Sequence, residues 1–144
     1  MIPDSYVKNS AERMILYRQI NEIKTEEGLY EFETQLTDRF GKVPKQIFEL
    51  FNGMRLKWIA TKLGMEQMII KNKHLRCYFI SNQESSFYNS EIFARIMKYV
   101  QQHQRGVYLR ETEKYLVLNI EGVSSMSKAK ESLNEINEFV FGAS

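Results

Sequence analysis

The sequence predicts an α+β fold: a helical N-terminal half of three helices, then two β-hairpin-plus-helix units forming a small, mostly antiparallel sheet covered by helices. Three observations predict it. Apolar residues recur at intervals of three and four through the first 63 residues, the period of a helix face. From Met68 the texture changes to alternation, and it does so twice, each time with a helical stripe behind it. The long spacing of parallel βαβ units is missing.

Residues 1–8 read as an extended lead-in, because Pro3 resists helix and Asp4-Ser5 has turn character. The first helix begins near Asn9 or Ser10, either a good N-cap, with Met14, Leu16, Tyr17, Ile20 and Ile23 as its apolar face. Thr25 caps the second, and Glu26 and Glu27 suit the positive end of its dipole. Its stripe is Leu29, Phe32, Leu36 and Phe40, and Gly41 is expected as a left-handed C-cap. Pro44 is placed in the first turn of the third helix, whose stripe runs Ile47, Leu50, Phe51, Met54, Trp58, Ile59 and Leu63 before Gly64 ends it.

Met68 to Ile70 then form a short apolar run, and Lys71-Asn72-Lys73-His74 reads as a hairpin turn. Leu75, Cys77 and Phe79 alternate with Arg76, Tyr78 and Ile80. A polar loop from Ser81 to Asn89 leads to a fourth helix capped by Ser90, with Ile92, Phe93, Ile96, Met97 and Val100 inward. Gly106 opens the second pair: Val107 to Arg110, a turn at Glu111-Thr112-Glu113, then Leu116, Leu118 and Ile120 in alternation. Ser124 or Ser125 caps the last helix, whose stripe is Met126, Ala129, Leu133, Ile136 and Val140.

Composition narrows the function. The chain has 144 residues, 43% hydrophobic and 26% charged, enough for one domain with a core that needs no staple. A lone Cys77 in an apolar stretch excludes an internal disulfide framework and reads as a buried reduced thiol, consistent with a cytoplasmic compartment. No apolar run is long enough for a membrane span, and Met1-Ile2-Pro3-Asp4 has no signal-peptide character. The seven glycines stand apart, so no phosphate-cradling loop can be built from them. His74 and His103 have no partners at metal-ligand spacing, and there is no nucleophile elbow. Neither an enzyme nor a small-molecule substrate is expected.

Charge is uneven although the net is only +2: the first 40 residues are acidic, residues 41–80 are strongly basic and the last 34 are acidic again. That pattern favours a polar protein partner or internal pairing over a general nucleic-acid footprint. Two features remain. One is the basic group Lys62, Lys71, Lys73, His74 and Arg76, a solvated turn or, as the alternative function, a nucleic-acid contact carried by Lys71, Lys73 and Arg76. The other is the end of the second helix, where Asp38 lies against the dipole and needs compensation from Arg39, Lys42 or an outside partner.

Several segments carry a resemblance. Asp4-Ser5-Tyr6-Val7, Arg13-Met14-Ile15-Leu16-Tyr17-Arg18-Gln19-Ile20 and Leu36-Thr37-Asp38-Arg39-Phe40-Gly41-Lys42-Val43-Pro44 resemble the C-terminal domain of bacterial transcription-repair coupling factor, Mfd. Met54-Arg55-Leu56 and Leu63-Gly64-Met65 continue the pattern, with Gln19 and Met65 as mild departures. The match in motif runs from about residue 2 to 66, and in element order to about 140. The resemblance implies that residues 1–8 lead in from an upstream motor and that residues 9–143 are a single C-terminal regulatory domain. It implies a parent that is an ATP-driven DNA translocase, displacing stalled RNA polymerase and recruiting UvrA. ATP and magnesium would belong to that motor alone. The implied role is autoinhibitory: docking on the parent's N-terminal UvrA-binding module through Gln35 and Asp38, with Arg39 beside them. In the family the first of these positions is more often acidic.

Overall fold

The computed structural model describes residues 1–142, and the expected domain end at residue 143 lies just outside them. The backbone divides into two compact units, Met1–Met54 and the chain from Arg55 onward. The elements are α1 (Ser10–Glu22), α2 (Glu26–Phe40), α3 (Lys45–Lys62), β1 (Met65–Lys71), β2 (His74–Phe79), a short 3-10 turn at Ser86–Asn89, α4 (Glu91–Gln102), β3 (Val107–Glu111), β4 (Leu116–Glu121) and α5 (Met126–Phe141). The α+β expectation holds: helices come first, then two hairpin-plus-helix units.

In the first unit the caps fall where side-chain chemistry puts them. The Asn9 side chain accepts from the Glu12 amide at 3.0 Å, and the Thr25 hydroxyl accepts from the Gly28 amide at 3.0 Å. Each satisfies a backbone donor that the first helical turn leaves open. Thr25→Ala is expected to cost about 1 kcal/mol and Thr25→Ser almost nothing. Urea midpoints of the two variants check this. The core collects Leu16 and Ile20 from α1, Leu29, Phe32 and Leu36 from α2, and Ile47 and Phe51 from α3. Met14 departs from the expected stripe: it is 57% exposed, because Leu16 and Ile20, four residues apart, already define the buried line.

Gly41 does end α2, but with φ +89° and ψ −161° it is not in the left-handed helical region. That extended positive-φ conformation is open essentially to glycine alone. Pro44 stands one residue before α3, where its carbonyl accepts from the Ile47 amide, and not inside the first turn. The α3 stripe also breaks. Ile47 and Phe51 are buried in the N-terminal part and Leu56, Ala60 and Leu63 in the C-terminal part, while Met54 and Trp58 are only half-buried. The phase changes where one unit gives way to the next.

In the second unit the sheet order is β1-β2-β4-β3, with every neighbouring pair antiparallel. Strand β1 starts at Met65, earlier than the apolar run at Met68 suggests, because its first residues already pair with the end of β2. The turn Asn72-Lys73 has φ of +53° and +61°, the paired positive values of a two-residue hairpin loop. The inner face carries Leu75, Cys77, Phe79, Leu118 and Ile120 against Leu56, Ala60 and Leu63 of α3, Ile96 and Tyr99 of α4, and Leu133 and Ile136 of α5. Burial pushes the Cys77 thiol up to about 12, so it stays protonated and unreactive at neutral pH.

Three local readings need correction. The loop after β2 contains the 3-10 turn, whose Phe87 and Tyr88 pack with Phe79 and Phe93 in an aromatic cluster. On α5, Met126 is 45% exposed while Ala129, Leu133, Ile136 and Val140 are buried. Strand β4 does not alternate in burial: Val117, Leu118, Asn119 and Ile120 are all buried, whereas β2, the other central strand, alternates. Among the described residues, no helix is long and apolar enough to cross a membrane.

Candidate partner-binding site

The C-terminal end of α2 is built from the sequence outward. The lead-in does not run free: the Tyr6 hydroxyl reaches the Leu36 carbonyl at 3.1 Å and the Gly41 carbonyl at 2.7 Å, with its ring 5.7 Å from that of Phe40. One side chain thus covers two carbonyls at a helix end, where acceptors are left over. Arg13 holds the lead-in from the other side, donating to the Val7 carbonyl at 2.6 Å and the Lys8 carbonyl at 3.1 Å, with Asp4 at 3.6 Å.

On this clamped end Gln35, Asp38 and Arg39 stand at positions i, i+3 and i+4, and all three are exposed on one face. Their situations differ. Arg39 is ion-paired with Glu12 of α1, and its guanidinium lies 4.8 Å from the centre of the Phe40 ring. Asp38 has no ion pair among the described residues. The compensation expected from Arg39 is therefore spent elsewhere, and a carboxylate is left facing solvent at the negative end of the α2 dipole. Gln35 borders an open groove with Gln19, Glu22, Glu31 and Phe32.

The basic group is only partly assembled. Lys71 and Arg76 share the outer face of the sheet, because Lys71 pairs in register with His74 and Arg76 follows two residues on. Lys73 sits in the turn, its carbonyl accepting from the Gly122 and Val123 amides at 2.9 and 3.0 Å. Lys62 is not with them: at the end of α3 its ammonium stands 4.6 Å over the Phe141 ring.

The same outer face carries residues that the sequence reading passed over: Tyr78 on β2, Tyr108 and Arg110 on β3, and Tyr115 just before β4. The signal was available in the alternation of Arg76 and Tyr78 with Leu75, Cys77 and Phe79. Its counterpart on β3 is too short to read alone. Among the described residues, no cluster of histidine, cysteine or acidic side chains is arranged to hold a metal ion.

A family of known proteins, the TRCF domain, matches residues 1–90, more than half of the chain. The chain belongs to the TRCF domain family. Its relatives extend the likeness beyond that stretch. This TRCF domain is 26% identical over 137 residues to the transcription-repair-coupling factor of Borreliella burgdorferi, covering 94% of this chain and 12% of that protein. It is 26% identical over 117 residues to the same-named protein of Rickettsia prowazekii, covering 81% of this chain and 10% of that protein. The likeness to the Staphylococcus haemolyticus protein is 24% over 122 residues. The TRCF domain therefore spans about a tenth of the length of these curated relatives. Its fold matches the crystal structure of the C-terminal domain of a transcription-repair coupling factor, with a TM-score of 0.66 over 94% of this chain and 87% of that one, at 19% identity.

Proposed function

We propose that this TRCF domain is a non-catalytic regulatory module of a transcription-coupled DNA repair translocase. It masks the UvrA-binding module of the same protein until the ATP-driven motor engages stalled RNA polymerase. On this reading ATP and magnesium belong to the upstream motor. RNA polymerase, UvrA and DNA are partners of the full-length protein, and the setting is the bacterial cytoplasm.

The observation that carries the reading is Asp38: an exposed carboxylate on a helix end held by Tyr6, with its cationic neighbour Arg39 taken by Glu12. Such a group gains most from a cation brought by a partner, an arginine above all, since a guanidinium meets a carboxylate through two parallel hydrogen bonds. Gln35, on the same face, supplies a neutral hydrogen-bonding group beside it. A contact worth about 3 kcal/mol would hide the partner surface about 99% of the time and still release it to an ATP-driven rearrangement.

The test is calorimetry of this chain, added in trans, against the isolated N-terminal UvrA-binding module of its parent. The expected result is micromolar, salt-sensitive binding that UvrA competes away. Asp38→Arg is expected to weaken that binding at least about tenfold and to raise UvrA affinity in the full-length protein. Unchanged binding in the variant would remove Asp38 from the contact. No binding at any salt, together with unchanged UvrA affinity on deleting this domain from the full-length protein, would sink the masking role.

A further inference from the structure

The outer face of the sheet carries none of the residues proposed for the masking contact, and its composition is specific. Core residues occupy the inner face, and Val117, although buried, lies outside that core cluster. Register then sets the outer rows. In one, Ile69, Arg76, Asn119 and Tyr108 stand side by side across the four strands; in the next, Gln67, Tyr78, Val117 and Arg110 do. Arg76 and Tyr78 of β2 therefore face Tyr108 and Arg110 of β3 across the small residues of β4, roughly 10 Å apart at ordinary strand spacing. Tyr115 extends the β2 side, its ring edge-on to Tyr78 with centroids 5.2 Å apart, and the Lys114 ammonium lies 5.3 Å over it. Arg110 and Lys71 are exposed, and Arg76, Tyr78, Tyr108 and Tyr115 are half-buried.

Aromatic rings and guanidinium groups thus flank β4 on both sides, and Val117 and Asn119 between them are buried. Among the described residues paired in register, one carboxylate shares the face, Glu121. It lies in the end row, paired in register with His74 and 4.0 Å from its ring nitrogen, away from the tyrosines. The central rows hold Arg76 and Arg110 with no acidic residue between them.

We infer that this face binds single-stranded DNA, with unstacked bases on Tyr78 and Tyr108 and phosphates on Arg76, Arg110 and Lys71. Rings set among cations are the requirement for sequence-tolerant binding of a single strand. A duplex keeps its base faces stacked inside and would leave the rings unused. Stacking and phosphate pairing need no 2′-hydroxyl, so DNA suffices.

The experiment is fluorescence anisotropy of a labelled oligo-dT of about 20 nucleotides against the whole chain, at rising salt. Binding is expected with a log–log salt slope of about −2, from roughly three phosphate contacts to a single strand. Tyr108→Ala is expected to weaken it about tenfold while Tyr108→Phe retains it, as a stacking role requires. Arg110→Glu, at an exposed edge position, guards against misfolding of the alanine variant and is expected to abolish binding. Lys45→Ala, a change in the first unit, leaves binding unchanged. The inference is overturned by absence of binding at low salt, by equal affinity for a duplex of the same length, or by Tyr108→Ala and Arg110→Glu variants that fold and bind like the parent. An RNA strand preferred by more than tenfold would overturn the assignment to DNA.

Discussion

Phe79→Ala is expected to be the most damaging core truncation, lowering the unfolding free energy of the second unit by about 3–5 kcal/mol. Phe79 is fully buried at the end of β2. Its ring stacks on Phe87 at 5.9 Å and meets Phe93 edge-on at 5.7 Å. Removing it takes away the transfer energy of a whole ring and leaves a void that a strand backbone cannot close. Trp58, the chain's one tryptophan, lies in the same unit, so its fluorescence in urea reports the loss directly. Phe79→Leu, which keeps most of the volume, is expected to cost less than half as much. An alanine variant within 1 kcal/mol of the parent would show that the aromatic cluster is not part of the cooperative core.

Gly64→Ala is the second, at about 3 kcal/mol, from two separable causes. Gly64 joins α3 to β1 with φ +76°, a conformation that costs an L-residue about 1–2 kcal/mol. The Phe87 ring also lies directly against its α-carbon, so an added methyl group would overlap ring atoms. The ring cannot swing aside freely, since it also packs on Phe79, Tyr88 and Phe93. A double-mutant cycle separates the terms. In a Phe87→Ala background the glycine substitution is expected to cost only the backbone part, about 1–2 kcal/mol. Equal costs in both backgrounds would mean that the ring overlap carries no energy.

The sequence made Gly64 readable as a stop but gave no hint of Phe87 above it. That contact joins residues 23 positions apart through a turn that polar composition disguised as loop. Local signals survived best. The caps at Asn9, Thr25, Ser90 and Ser125 and the turn at Asn72-Lys73 depend on neighbours within a few residues, and the structure places them accordingly. Trp58 and Met14 fall off their expected stripes because a stripe drawn through a whole helix assumes one buried line, whereas α3 contributes to two cores and α1 buries only two residues. At the candidate site the exposure of Asp38 was legible from its spacing to Leu36 and Phe40. The removal of Arg39 by Glu12, 27 residues earlier, was not.

The two outer strands of the sheet, β1 and β3, have a further consequence. Strand β1 begins with a register shift between Met65 and Gln67 and ends on Lys71; β3 has five residues and closes on Arg110-Glu111. A strand at a sheet border offers bare amides and carbonyls to any passing chain, and irregular pairing, short length and charge are what spoil that template. Both borders of this sheet are spoiled in that way. Self-association strand by strand, the usual route from such sheets to aggregates, is therefore disfavoured at each side.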